Sequence, residues 1–110
     1  MLEKEIEAYV RDTLKTWGFR VMKLTCPGSA GVMDRMILFP YYSPRPPEFV
    51  EFKRPLGRMA TKQSIMRHDF IRRGCAVHHP IWSMEEAKEF CNGMILRVKP
   101  DRDKAIGGYR

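Results

Sequence analysis

No stretch of this sequence is apolar for long enough to span a membrane, and no N-terminal signal peptide is visible. Cysteine is scarce as well. Cys26, Cys75 and Cys91 are odd in number, widely separated and without Cys-x-x-Cys spacing, which argues against a disulfide framework or a zinc knuckle and leaves reduced, partly buried thiols. The glycines of Pro27-Gly28-Ser29-Ala30-Gly31 lack both a Gly-Lys-Ser/Thr ending and a Gly-x-Gly-x-x-Gly pattern, so neither a Walker loop nor a dinucleotide fingerprint is present. His78 and His79 are adjacent, and in a strand they point to opposite faces, so the pair cannot ligate one metal without distortion. Acidic residues are in the minority, 13 against 20 lysines and arginines, for a formal net charge of +7. Such a balance points to a polyanionic partner, and nucleic acid is the economical choice because cations that neutralise phosphates release condensed counterions. A cytoplasmic, soluble protein with no membrane partner is expected.

With 110 residues the chain is large enough for one hydrophobic core and too small for a second substrate-binding module, so binding and chemistry must share a surface. Leu2, Ile6, Tyr9, Val10, Leu14 and Trp17 recur at helical spacing ahead of Gly18, which predicts an amphipathic helix over residues 2–17. A strand follows over Phe19–Leu24, then the small-residue loop at 27–31, then a second strand over Met33–Phe39. Pro40–Pro47 cannot continue a sheet and must turn, so the second strand and Phe49–Lys53 form a hairpin. Beyond a basic loop at Arg54–Ala60, Thr61 is a helix N-cap for a helix running to about Arg73, with Gly74 beyond it. Cys75–Ile81 reads as a short strand, and Ser83-Met84-Glu85-Glu86 as a capping box opening a helix that ends before Gly93. Met94–Val98 reads as an edge strand, giving a domain over residues 1–98 and a flexible charged tail over 99–110. The order describes one α/β domain.

Within Phe49-Val50-Glu51-Phe52-Lys53, strand alternation sends Phe49, Glu51 and Lys53 to one face and Val50 and Phe52 to the other. A lone Glu-x-Lys is ordinarily a solvated surface pair. Asp34 changes that reading, because a hairpin that closes with Asp34 level with Glu51 or Lys53 brings two carboxylates into one cavity, where a divalent cation relieves their repulsion. Magnesium or manganese suits such an oxygen-rich site. The cation would polarise a scissile phosphate and acidify a water, while Lys53 would orient that water or neutralise charge developing on the phosphorane. A hairpin with ordinary surface charges is the plain alternative.

Gly31-Val32-Met33-Asp34-Arg35, Val50-Glu51-Phe52-Lys53-Arg54-Pro55 and Gln63, ten residues after the lysine, together resemble the PD-(D/E)XK nuclease superfamily, and within it the small stand-alone viral-type replication-repair nuclease (VRR-NUC) family. The resemblance spans roughly residues 3–87. Met33 departs from it, standing where the family usually has a proline that shapes the backbone and supplies no ligand. The resemblance implies a restriction-endonuclease-like core, a central mixed β-sheet flanked by helices. It implies that Asp34, Glu51 and the backbone carbonyl of Phe52 hold Mg2+ or Mn2+, with Lys53 as the catalytic lysine and Gln63 contacting the site. The family's first-helix glutamate falls on Glu3, with Glu7 one turn later as the rival. Relatives of this type are similar to junction-cleaving homodimers in phage or bacterial replication and repair, so branched DNA such as four-way (Holliday) junctions or flaps is the implied substrate.

Lys23, at the end of the first strand, and Arg35, Arg54, Arg58, Lys62, Arg67, Arg72 and Arg73 are expected to contact DNA phosphates around the site, with a solubilising helix face as the alternative. No helix carries a set of base-directed residues, so shape is a better expectation than sequence readout. Tyr41 and Tyr42, in the proline-rich connection, are available to DNA or a second subunit. Two further readings remain open on sequence: a non-catalytic basic DNA-binding or architectural module, and a sequence-specific restriction-type nuclease.

Overall fold

A computed structural model of the protein describes residues 2–25, 34–53 and 61–107, the side chains of 61 and 62 excepted. The expected Thr61 cap, the 27–31 loop, Cys26, Arg54 and Arg58 lie outside the described residues or side chains.

Helix α1, Glu3–Lys15, forms where the periodicity placed it, with Ile6, Val10 and Leu14 fully buried on one stripe. Its end is fixed by Gly18. That residue adopts φ +86°, the Gly18 N–H donates to Lys15 O at 3.0 Å and the Phe19 N–H to Leu14 O at 3.2 Å, so the helix closes in a Schellman motif. The turn delivers buried Phe19 into the core and starts strand β1, Arg20–Lys23. Strand β2, Arg35–Leu38, pairs antiparallel with β1, and β3, Glu48–Val50, pairs antiparallel with β2 across the proline-rich connection. Helix α2, Thr61–Arg72, ends in a second Schellman closure at Gly74, φ +92°, and leads to the short strand β4, Ala76–Val77. β4 lies parallel to β3, completing a mixed sheet of order β1-β2-β3-β4. The expected strand over Cys75–Ile81 is thus split: Ile81 pairs separately with Phe52.

α1 and helix α3, Met84–Gly107, pack together on one face of the sheet. Alternation sends Val21, Ile37 and Val50 toward these helices, where Ile37 and Val50 are fully buried. Across the sheet, α2 covers the opposite face through an edge-on contact of Phe70 with Phe49, ring centroids 5.5 Å apart.

α3 corrects three expectations. Its N-terminus is capped as the sequence indicated: the Glu86 N–H donates to Ser83 Oγ at 3.1 Å, and the Glu86 carboxylate accepts the Trp82 N–H at 2.9 Å. It does not stop before Gly93. Residues 94–98 are helical rather than an edge strand, and the expected mobile tail is helix through Gly107. The reason is burial: Ala87, Cys91, Met94 and Val98, spaced four, three and four, form a continuous apolar stripe against α1. At about 1.5–3 kcal/mol per large buried side chain, that stripe outweighs about 1 kcal/mol for Gly93 and about 3 kcal/mol for Pro100. Two contacts hold the last turns: Ser43 Oγ donates to Asp101 Oδ2 at 2.6 Å, and the Arg102 guanidinium stacks 4.2 Å from the Trp17 ring.

Candidate active site

The β2–β3 ladder ends at the pair Arg35–Val50. One rung further, Asp34 stands opposite Glu51, and directly opposed residues of an antiparallel pair share a face. Regular pairing gives way to side-chain bonding here, because the Phe52 N–H donates to Asp34 Oδ2 at 3.3 Å. On its other edge the segment stays paired: the Ile81 N–H donates to Glu51 O and the Lys53 N–H to Ile81 O, both at 2.9 Å. Phe52 therefore directs its N–H and carbonyl alike into the gap beside Asp34. The fork places two carboxylates and one main-chain carbonyl around a single opening.

Glu51 is the unusual member. Its side chain has no exposed surface, and neither carboxylate oxygen has a hydrogen-bond partner among the described residues. The nearest cation, Lys53 Nζ, lies 3.6 Å from Oε2, an ion-pair distance too long for a hydrogen bond. Burial pushes the Glu51 carboxyl above the usual glutamate range; Lys53 opposes that rise, Asp34 adds to it and Arg67 opposes it. Lys53 itself is held by α2, donating to Gln63 Oε1 at 2.6 Å. Four residues further along the same helix face, Arg67 has a buried Nε with no hydrogen-bond partner among the described residues.

An ionised carboxylate without a donor is costly to bury, and binding a cation would offset that cost. Among the described residues no group of three or more His, Cys, Asp or Glu converges on one point. The oxygens that a cation would meet here are those of Asp34, Glu51 and the Phe52 carbonyl, all hard donors of the kind that suit magnesium or manganese.

A solved VRR_NUC domain is similar to this chain, with a TM-score of 0.67 over 82% of this chain and 94% of that one, at 20% sequence identity. The chain has the VRR_NUC fold. Its mixed sheet flanked by helices is the architecture the sequence resemblance implied, although no protein-family model and no curated protein matches the sequence. Within this VRR_NUC fold, Asp34, Glu51, Phe52, Lys53 and Gln63 come together as the sequence placed them.

The first-helix glutamate is placed differently. Glu3 is exposed in the opening turn of α1, whereas Glu7 is buried, accepts from Arg11 Nη1 at 3.0 Å and lies 3.5 Å from Arg35 Nε. The structure therefore puts Glu7, not the favoured Glu3, next to β2. A signal existed in the sequence: Glu7 is flanked by Ile6 and stands three and seven residues before Val10 and Leu14, inside the apolar stripe. Arg35, expected to face phosphate, is partly buried, donates to Asp34 O at 3.1 Å and packs 5.9 Å from the Phe52 ring centre, so it braces the fork from the α1 side. Lys23 is exposed opposite Arg35. Arg72 and Arg73 are exposed at the end of α2, with Arg73 paired to Asp69 at 2.9 Å. Arg54, Arg58 and the Lys62 side chain lie outside the described parts. Away from the site, His78 bonds Glu48 at 2.6 Å and His79 is exposed, so the two do not meet.

Proposed function

We propose that the protein is a Mg2+- or Mn2+-dependent DNA endonuclease that hydrolyses phosphodiester bonds in branched DNA, such as four-way junctions or flaps. The observation that carries this reading is the fully buried Glu51 carboxylate, without a hydrogen-bond donor among the described residues, facing Asp34 across the open end of the β2–β3 ladder, with Lys53 held beside it by Gln63. A divalent cation bound there supplies Lewis acidity toward the scissile phosphate and acidifies an attacking water.

The chain's own groups do the rest. Asp34, braced by the Phe52 N–H, and Glu51, fixed by its buried strand, hold their oxygens without large rearrangement on binding. The Gln63 amide oxygen takes one Lys53 proton as a hydrogen bond and aims the ammonium over the site, where its charge offsets the negative charge that grows on the phosphate oxygens. Arg67 adds a second cation from the same helix. Glu7 acts one step removed by holding Arg35 against the Asp34 main chain. The net charge of +7 and the lack of a base-reading helix support DNA recognised by shape. Two copies acting together would allow paired cuts, and the wholly exposed Tyr41 offers an aromatic contact to a partner or to DNA. No helix among the described residues is long and apolar enough to cross a membrane, in keeping with a cytoplasmic setting.

Two measurements test the reading. Calorimetric titration of Mn2+ should show a site in the wild type that weakens at least tenfold in Asp34→Ala. End-labelled junction, flap, single-stranded and linear duplex DNA should then be cut in the order branched over linear with magnesium, and not at all with EDTA. Tight DNA binding without cutting in either metal would promote the architectural module, and cutting at one fixed sequence of linear duplex the restriction-type enzyme.

A further inference from the structure

Beside the end of α1 furthest from Asp34, the helix and β1 enclose an open cavity of about 470 Å³ lined by Arg11, Lys15, Gly18, Phe19, Arg20 and Val21. Three of the six lining residues are cations. Arg11 is partly neutralised by Glu7 at 3.0 Å and Asp12 at 3.3 Å. Lys15 and Arg20 have no carboxylate partner among the described residues, so their charge is uncompensated.

Main-chain donors face the same way. β1 is the outer strand of the described sheet, and just beyond its end the Leu24 N–H donates inward to Asp34 O at 2.9 Å. Alternation then directs the Val21 and Lys23 N–H groups to the edge away from β2. α1 runs antiparallel to β1, so the cations form a line: Lys23 and Arg35 level with the fork, Arg11 midway, and Lys15 with Arg20 at the cavity. From Arg20 to Lys23 is about 10 Å at about 3.3 Å per strand residue. The backbone winds round the duplex axis, so successive phosphates of one strand lie further apart than the axial rise of about 3.4 Å, and this distance spans about one to two nucleotides.

We propose that this cavity is a phosphate subsite that holds the nucleic-acid backbone about one to two nucleotides from the scissile bond, with Lys15 and Arg20 as its cations and the β1 edge as its main-chain donor. The choice of nucleic acid as ligand rests on the nuclease reading above. Three cations at the rim, two of them without a carboxylate partner among the described residues, favour an anion over a neutral ligand. Phosphate contacts of this kind set register and carry no sequence information, which suits an enzyme that recognises shape.

The test measures junction-DNA affinity by fluorescence anisotropy in EDTA, across a series of salt concentrations, so that no cutting intrudes. Lys15→Ala/Arg20→Ala should reduce the slope of log affinity against log salt by about 1 to 2, near 0.9 for each phosphate no longer neutralised. Affinity at low salt should fall about tenfold or more. Lys15→Arg/Arg20→Lys should keep the wild-type slope, which separates lost charge from a damaged fold. Lys88→Ala/Lys104→Ala removes the same formal charge from α3 and should leave the slope nearly unchanged. An unaltered slope in Lys15→Ala/Arg20→Ala, or an equal loss in the α3 variant, overturns the subsite. Lost binding of polyglutamate with DNA binding intact overturns it too, in favour of an acidic protein ligand. The two readings fail separately: a wild type that never cuts but shows the slope change keeps the subsite and sinks the nuclease, and cutting without a slope change does the reverse.

Discussion

Glu51 concentrates the conflict between folding and chemistry. A carboxylate with no exposed surface and no hydrogen-bond donor among the described residues costs stability whenever it is ionised, and burial raises its pKa accordingly. A group whose folded pKa lies above its unfolded value favours folding while protonated and loses that contribution as pH rises through the folded pKa. At neutral pH, therefore, the ionised group weighs against the metal-free fold. Glu51→Gln should stabilise the protein in EDTA at pH 7 by about 1–2 kcal/mol, at about 4–8 °C in Tm per kcal/mol for a domain of this size. The same variant should gain less from added Mn2+ than the wild type. Calorimetric melting of both proteins, with EDTA and with Mn2+, checks both statements. Asp34, Glu51 and Lys53 were legible in the sequence because strand alternation and a forced hairpin turn are local rules. The choice of Glu7 over Glu3 was legible only through Glu7's place inside the apolar stripe of α1, because which turn lies over Arg35 is a fact of packing between elements.

Among elements, the hairpin and α3 show which local signals yield to tertiary structure. Gly18 and Gly74 mark helix ends in sequence and in structure alike, and each adopts a positive φ that closes a Schellman motif. Gly93 and Pro100 carry the same punctuation and stop nothing, because the helix around them has a buried stripe on α1. The stripe spans residues on both sides of the glycine, which is why a reading that broke the segment there could not see it. α3 is also tied to the sheet by polar contacts. Glu48 of β3, nearly buried, accepts from Arg97 at 2.7 and 2.8 Å and bonds His78 at 2.6 Å. Burial alone would raise the Glu48 pKa, but the hydrogen bonds from Arg97 and His78 prevail and hold it below the usual glutamate range. With a lowered folded pKa, its stabilisation is complete above the unfolded value, about 4.3, and is lost as pH falls through the folded one. Arg97→Ala should therefore cost about 3 kcal/mol at neutral pH, by stranding a buried charge. It should also flatten the loss of stability below about pH 4.3, since Glu48 would no longer be held ionised there. Urea melts at pH 7 and across pH 3–5 would show both effects; an unchanged acid limb would mean that Arg97 does not set the Glu48 charge.

The whole molecule divides its labour between the two faces of one sheet. α1 and α3 bury the apolar face, and the opposite face, under α2, carries Glu51 and Lys53 where the ladder opens, with Gln63 of α2 meeting Lys53 there. The architecture was legible in outline, since the helix, strand, hairpin, helix order follows from periodicity and punctuation, and the VRR_NUC fold agrees with it. Charge was legible only as a total. The +7 excess named a polyanion, while the alignment of Lys15, Arg20 and Lys23 along one edge needed α1 folded back on β1. The most direct measurement is the initial rate of junction cleavage with magnesium for wild type and Lys53→Ala, each repeated in EDTA, with DNA affinity measured in parallel. If Lys53 offsets charge that develops during phosphodiester cleavage, the variant should bind junction DNA within a few-fold of wild type yet cut it at least about a hundredfold more slowly, and neither protein should cut in EDTA. Equal cutting by Lys53→Ala, or cutting undiminished by EDTA, would contradict the site assigned to Asp34, Glu51 and Lys53.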